Sequence, residues 1–475
     1  MTKTRKATLY AAGVLIGLLV IVALALVLFL DLNAYKSRIE TAASDALGME
    51  VSVGGPLGIG FFPSLQVTLE DLHIRNRGSA LVTASKARIG VDFLALLDKG
   101  LHIRKVVLDQ PHITIERGRD GRFNYEKTDA ARGPLPDLSL AKIAFSGGTF
   151  RYLDRQSGKA FEAAECSLDA DRVQLADRNR PGIKENLALS ADVACGEIRT
   201  ETYAASDLKF TVAGQHGIFD LNPLSMRVYA GQGTGSVRAD FAGATPRYQL
   251  SYTLSQFHID AFLKPLSPQN VPEGLVDLTA NLSMQGKTVK ALRQTLAGEV
   301  ALRGKHLVLN GRDLDQEFAR FESSQSFNLV DVGAFFFAGP IGLVITKGYS
   351  FASILGGSAG RSDIRTLVSD WQIERGVALS QDVAIATNKN RVALQGGLDF
   401  VNEQFDDVTV ALIDDRGCIR AQQTIRGAFN APTVENPSTL KALSGPVVKL
   451  LKQVGNLFPG GECQVFYAGV VAVPK

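Results

Sequence analysis

The side chains able to do chemistry are sparse in this 475-residue chain, and their spacing assembles nothing. Six histidines, His73, His102, His112, His216, His258 and His306, are scattered along it. None sits at metal-ligand spacing beside a cysteine or a second histidine. His102 and His112 could approach each other across neighbouring strands, but the ordinary reading makes them polar-face strand residues. There is no P-loop, no HExxH and no GxSxG. Gly231-Gln232-Gly233-Thr234-Gly235 is glycine-rich, yet no helix follows it to hold a phosphate. Tyr229 and Val237 flank it as strand residues, so a hairpin is expected there. Carboxylates abound, but no pair is singled out by an apolar setting. The expectation is a protein with no catalytic residue, no cofactor and no metal.

Four cysteines remain: Cys166, Cys195, Cys418 and Cys463, with no CxxC among them. Order along the chain suggests Cys166–Cys195 and Cys418–Cys463, one of three connectivities that four cysteines allow. Each bridge would stabilise by roughly 3–4 kcal/mol in the chain-entropy model. A zinc site is the alternative.

The elements that position these residues begin with residues 7–30, ATLYAAGVLIGLLVIVALALVLFL, which hold no charge. As a helix the run is about 36 Å long, against a hydrocarbon core of about 30 Å. Ala23-Leu24-Ala25 is a possible cleavage box, but it lies inside the apolar run. A cleaved signal has a shorter apolar region, so an uncleaved anchor is expected. Lys3, Arg5 and Lys6 precede the run and Asp31 follows it, which places residues 1–6 in the cytoplasm and the rest across the membrane. Oxidation of the cysteines fits the outer side of a bacterial inner membrane. Net charge is +3, from 51 basic and 48 acidic residues, so no nucleic-acid footprint is expected. Hydrophobic residues make up 45%, enough to exclude a disordered body.

Residues 31–47 read as a helix, with Leu32, Tyr35, Ile39, Ala42 and Leu47 at helical spacing and Gly48 as its stop. It would cap the end of the first sheet and lie near the outer leaflet. From about residue 50 the period becomes two, as in Leu65, Val67 and Leu69, or Leu208, Phe210 and Val212. Strands of this kind, separated by polar turns, predict a mainly β antiparallel meander rather than a doubly wound α/β fold. Residues 129–138 read as a linker. Asp313–Ser324 reads as a helix. The apolar run 329–345 follows, interrupted by Gly339 and Pro340. It is read as a buried hairpin that caps the β body, with a re-entrant membrane segment as the alternative. The β pattern returns after Trp371. Residues 436–456 form an amphipathic helical pattern, packed on a sheet or lying on a membrane surface.

Several of these segments together resemble the AsmA family. The anchor, the short helix and LGMEVSVGGPLGIGFFPSLQVTLEDLHIRN are similar to the N-terminal region of that family. LLDKGLHIRKVVLDQPHITIERGRDGRFNYEK continues the pattern, with Tyr125 where the family usually has Trp. GGTFRYLDRQSGKAFE and VYAGQGTGSVRADF resemble the middle region. LRQTLAGEVALRGKHLVLNGRDLDQEFARFE resembles the C-terminal AsmA-like region. AsmA-like proteins are related to bridge-like lipid-transfer proteins of the TamB and YhdP type. The resemblance implies a chorein-like N-terminal part and an elongated, bent sheet with an apolar groove, and it carries no catalytic residues.

The expected organisation is a tail (1–6), an anchor (7–30), an N-terminal chorein-like domain (31–135) and a middle β region (136–310). A helical and apolar hairpin region (311–375) and a C-terminal β region with an amphipathic helix (376–475) complete it. Residues expected to line the apolar face are Leu65, Val67, Leu69, Phe210, Val212, Val237, Phe241, Leu278 and Leu282. The expected partners are phospholipid, the inner membrane and envelope or outer-membrane assembly proteins. The expected role is lipid binding or conduction for the outer membrane, with a scaffold for outer-membrane protein assembly as the alternative. Period-two alternation serves an open groove and a filled core equally well, so it does not choose between them.

Overall fold

The computed structural model describes residues 32–60, 66–91, 103–126, 139–175, 186–264, 272–324, 360–435, 438–439 and 465–474. The protein is mainly β, as its periodicity predicts. It divides into two compact units, Met1–Glu201 and Thr202–Lys475. The division falls inside the stretch read from sequence as one middle region. The expected anchor at 7–30 and the apolar run at 329–345 lie outside the described residues. Among the described residues no helix is long and apolar enough to cross a membrane.

Unit 1 opens with a 3₁₀ turn, Leu32–Tyr35, and helix α1, Lys36–Leu47, which Gly48 ends in the left-handed conformation (φ 67°). The docked face is narrower than the predicted stripe. Ile39 and Ala43 pack on the sheet, whereas Tyr35 and Leu47 are exposed. The polar residues carry the docking instead. Val53 N–H donates to Glu40 Oε1 (2.7 Å), Val51 N–H to Ser44 Oγ (2.9 Å) and Leu57 N–H to Asn33 Oδ1 (3.0 Å). Glu40 and Ser44 are about 6.0 Å apart along a helix, and Val51 and Val53 about 6.8 Å apart along a strand, so one stripe meets one edge. The helix thereby occupies a sheet edge that would otherwise pair with another chain.

The strands of unit 1 are β1 (Glu50–Val53), β2 (Leu57–Gly60), β3 (Gln66–Asn76), β4 (Ser79–Val91), β5 (Ile103–Asp109), β6 (His112–Arg117), β7 (Ser139–Asp154), β8 (Ala160–Leu175) and β9 (Leu187–Thr200). β1 and β2 both pair with β3, and β3 with β4. β5 and β6 lie end to end beside β4 and pair in parallel with β7. The meander prediction therefore fails at this joint. A parallel neighbour requires a crossover, and residues 118–126 begin it. Buried Asn124 braces the crossover by accepting from Glu116 N–H and donating to the Thr114 carbonyl, while Asn76 donates to the Asn124 carbonyl.

Unit 2 is an antiparallel meander. Its strands are β10 (Ala204–Gln215), β11 (Ile218–Val228), β12 (Gly231–Asp240), β13 (Arg247–His258), β14 (Pro272–Glu273), β15 (Leu275–Gln285), β16 (Ala297–Asn310), β17 (Arg361–Glu374), β18 (Val377–Ala386), β19 (Arg391–Asp399), β20 (Gln404–Ile413), β21 (Ile419–Ala428), β22 (Ala431–Val434) and β23 (Ser438–Thr439). Neighbours follow chain order, except that β13 pairs with β15, the short β14 with β16, and β21 with β23 as well as β22. Helix Leu314–Ser324 forms as predicted and seals Leu314 and Phe318 into the core. Strand β17 corrects the expectation that the β pattern resumes only after Trp371. Ile364, Leu367, Val368 and Trp371 are all buried, so the strand is covered on both faces and loses its clean alternation. The helix expected at 436–456 is corrected at its start, where Ser438–Thr439 pair with β21, and its residues from 440 lie outside the described set.

Within many strands one polar residue takes a left-handed backbone: Asp71, Glu165, Arg172, Asp207, Gln256, His306 and Asp407, with φ between 46° and 57°. At each the alternation breaks and the apolar face shifts by one position, and at Arg172, Asp207, Gln256 and Asp407 the register with a neighbouring strand shifts as well. Leu69 is thus followed by Leu72, Leu254 by Phe257, and Phe405 by Val408. Such bulges sharpen the local twist and bend the strand while the same face stays apolar.

Candidate functional site

Unit 2 carries an apolar face built from opposed residues in register. Val212, Leu221, Val237, Leu250 and Leu282 form one transverse row across β10 to β15. Phe210, Leu224, Gly235, Tyr252 and Ala280 form the next, continuing to Val300 and Trp371. The burial of this face changes along the sheet. Val212, Leu221, Val237, Leu250 and Leu282 are only half-buried. Leu302, Leu367, Val392 and Leu412 are at most 1% exposed, with helix residues Leu314 and Phe318 joining the same cluster. The face is therefore half-open along the first row over β10–β15, while Leu254, Phe257, Val276 and Ala280 of β13 and β15 join the filled core that runs over β16–β21.

Aromatic clusters bound the half-open part at both strand ends. Phe241 contacts Phe219 (6.0 Å between centroids) and Tyr248 (5.9 Å). At the other end Tyr229 and Phe257 meet Phe262 at 6.2 and 6.4 Å, beside Tyr203. The opposite face is polar. Ser251 Oγ donates to Asn281, Asn281 donates to Glu299, and Arg238 forks onto Asp220 at 3.0 Å.

The glycine run explains how the rings sit. The hairpin turn itself is Tyr229-Ala230, with φ of 50° and 65°, and β12 begins at Gly231. Gly231, Gly233 and Gly235 share the apolar face. A Cβ on Gly231 would lie 2.5 Å from Phe257 Cβ, and one on Gly233 would lie 2.0 Å from Tyr252 Oη. The glycines thus let aromatic rings of β13 lie flat on β12. No phosphate cradle exists there.

Of the residues expected to line the face, Phe210, Val212, Val237, Phe241, Leu278 and Leu282 do come together on it. Val67 and Leu69 belong to the core of unit 1, where Leu69 opposes Leu57 and Ala87. Leu65 lies outside the described residues. Leu221, Leu250, Tyr252 and Tyr229 lie on the face as well. The period-two run Leu250, Tyr252, Leu254, set opposite alternate glycines, is a sequence signal for Leu250 and Tyr252.

Nothing assembles around the histidines. His73 lies 2.9 Å from Asp71 and is in register with Thr83, whose other neighbour is His112. His102 lies outside the described residues. Among the described residues no group of three or more His, Cys, Asp or Glu could hold a metal. Cys166 and Cys195 form the predicted disulfide, directly across β8 and β9. Cys418 is disulfide-bonded too, and Cys463, the one cysteine left for it, lies outside the described residues.

Burial shapes the phenols. It pushes Tyr229 up to about 12, with Tyr203 nearby adding to the effect, and it raises Tyr252. Burial likewise raises Tyr467, whose hydroxyl donates to Asp382 Oδ1 at 2.6 Å. This contact ties residues 465–474 over small buried side chains of β18–β20, among them Ala384, Ala393 and Ala411.

Neither the comparison with curated proteins nor that with solved structures gives a match. The AsmA family model matches twice in succession, over residues 1–177 and 168–332. That coverage exceeds half of the chain and spans both the helix-sealed sheet and the glycine-and-aromatic hairpin, and the chain belongs to the AsmA family.

Proposed function

We propose that this protein binds, and passes along its sheet, the acyl chains of phospholipids, as a non-enzymatic component of bacterial envelope maintenance. The observation that carries the reading is the half-buried row Val212, Leu221, Val237, Leu250 and Leu282, bounded by aromatic clusters and backed by a polar face. Covering such a row with a hydrocarbon chain gains about 0.8 kcal/mol per methylene buried. A filled core would leave no half-buried row to cover. Residues 7–30 would fix the chain to the inner membrane with its N-terminus in the cytoplasm and its bulk in the periplasm. The docked helix of unit 1, which follows that segment in the chain, would then lie beside the membrane.

Photo-crosslinking side chains placed at Phe210, Val237 and Leu282 in the full chain test the reading. They are expected to label phospholipid in cells, and Phe210→Asp with Val237→Asp is expected to abolish co-purified lipid while the protein still folds. Purified protein without phospholipid, together with crosslinkers that never label lipid, would refute it.

A further inference from the structure

Two groups on the unit 2 face are not explained by apolar packing. Tyr229 and Tyr252 both pack against the hydrophobic cluster, and their hydroxyls are buried from solvent with no hydrogen-bond partner among the described residues. Buried polar atoms are normally paired, and an unpaired one is costly. The same face uses Phe219, Phe241, Phe257 and Phe262 where only an aromatic body is needed. The two hydroxyls are therefore additions that the packing does not require.

The backbone around them is shaped at some expense. Two-residue turns with both φ positive favour Gly, and three others among the described residues supply it: Arg77-Gly78, His216-Gly217 and Arg375-Gly376. Tyr229-Ala230 makes the same turn without glycine, with Tyr229 at φ 50°. Tyr229 shares its conformation with Arg77, His216 and Arg375, and the departure is Ala230, which takes φ 65° where the other turns have glycine, a backbone cost of the kind that gathers at ligand sites. Tyr252 is accommodated by bare glycines. Its hydroxyl lies over Gly233 and its ring over Gly235, where any Cβ would collide.

We infer that the Tyr229 and Tyr252 hydroxyls are hydrogen-bond donors to the ester carbonyl oxygens of a diacyl lipid held on this face, which rests on the acyl-chain reading above. A phenol buried among apolar side chains remains protonated and seeks an acceptor. A phosphate or carboxylate would lose its hydration there, whereas an ester carbonyl accepts a hydrogen bond without burying a charge. Bound this way, the lipid pauses at a defined register instead of sliding freely.

The test uses the full chain, purified in a maltoside detergent. It is incubated with vesicles holding equal amounts of diester and diether phosphatidylcholine of matched chain length, re-isolated, and its bound lipid is measured by mass spectrometry. The expected result is retention of the diester about tenfold over the diether, the size of effect that such hydrogen bonds give. Tyr229→Phe with Tyr252→Phe should bring the ratio to about one by lowering retained diester to the level of the diether, with thermal stability kept or raised, because an unpaired buried hydroxyl is removed. Equal retention of the two lipids by the unaltered protein overturns the inference and leaves acyl-chain binding standing. Retention of neither lipid overturns both. A preference that survives in the double variant, or a marked loss of its stability, shows hydroxyls engaged elsewhere and also overturns the inference.

Discussion

Replacing Glu40 and Ser44 together by alanine should open the sealed edge of unit 1 without touching its core. The two side chains accept the Val53 and Val51 amides at 2.7 and 2.9 Å. A bond to a charged acceptor contributes about 1.5–3 kcal/mol and a neutral one about 0.5–1.5 kcal/mol. Both sites are part-buried, so water replaces some of the loss and the lower ends apply. The sum is about 2 kcal/mol, which is roughly 30-fold in a local opening equilibrium. Amide hydrogen exchange reads this directly: protection at Val51 and Val53 should fall about 30-fold, while Leu69 and Ala87 in the core keep theirs. For a unit of about 200 residues the same loss lowers the melting temperature by about 4–8 °C. Glu40→Gln, which keeps an acceptor oxygen, should retain most of the protection. If the double alanine variant protects both amides within about twofold of the original, the helix does not seal the edge and the reasoning is wrong.

Four further outcomes are expected. Gly235→Val places a Cβ 2.2 Å from the Ser251 carbonyl and 3.0 Å from Tyr252 Cα, so a chemical melt should show a loss of about 3 kcal/mol or more, whereas Gly243→Ala, 3.9 Å from its nearest neighbour, should be neutral. Joint Cys166→Ala and Cys195→Ala opens a link across a separation of 29 residues and should lower stability by about 3–4 kcal/mol in a chemical melt under oxidising conditions. Tyr229 is held protonated in the folded state up to about pH 12, while an unfolded tyrosine ionises near 10. Its contribution to stability is thus complete below pH 10 and lost as pH rises through 12, and ultraviolet titration against Tyr229→Phe should show the missing late step. Arg391 donates to the carbonyls of Val471, Asp414 and Asp415, so Arg391→Met should free residues 465–474 and speed their proteolysis several-fold.

Much of this molecule was legible because burial has a local signature. Leu208, Phe210 and Val212, and later Leu278, Ala280 and Leu282, announce one apolar face each, since a strand side chain alternates with period two. The Gly48 stop and the helix at Leu314–Ser324 follow from equally local rules. The bulges were harder to see. Ala163, Cys166 and Leu168 share a face only because Glu165 takes φ 53°, and period-two reading breaks at such a residue. The parallel joint of β5 and β6 with β7 was also hidden, because alternation names a strand's faces and not its neighbour. Helix α1 was misread in its contacts for a related reason: its docking depends on Glu40 and Ser44 meeting strand amides, and polar residues leave no trace in a hydrophobic period.

The sequence alone determined the β class and the identity of most apolar-face residues, because each rests on side chains near one another in the chain, whereas chain order only suggested the Cys166–Cys195 pairing among three connectivities. Whether the face is a groove or a core was decided only in three dimensions. Leu282 and Leu302 look alike in sequence, yet Leu282 is half-buried and Leu302 is 1% exposed. The difference lies in what packs over each: distant elements such as Leu314 and Phe318 close one end of the face and leave the other half-open. Solvent exposure depends on contacts remote in sequence, and no local pattern encodes them.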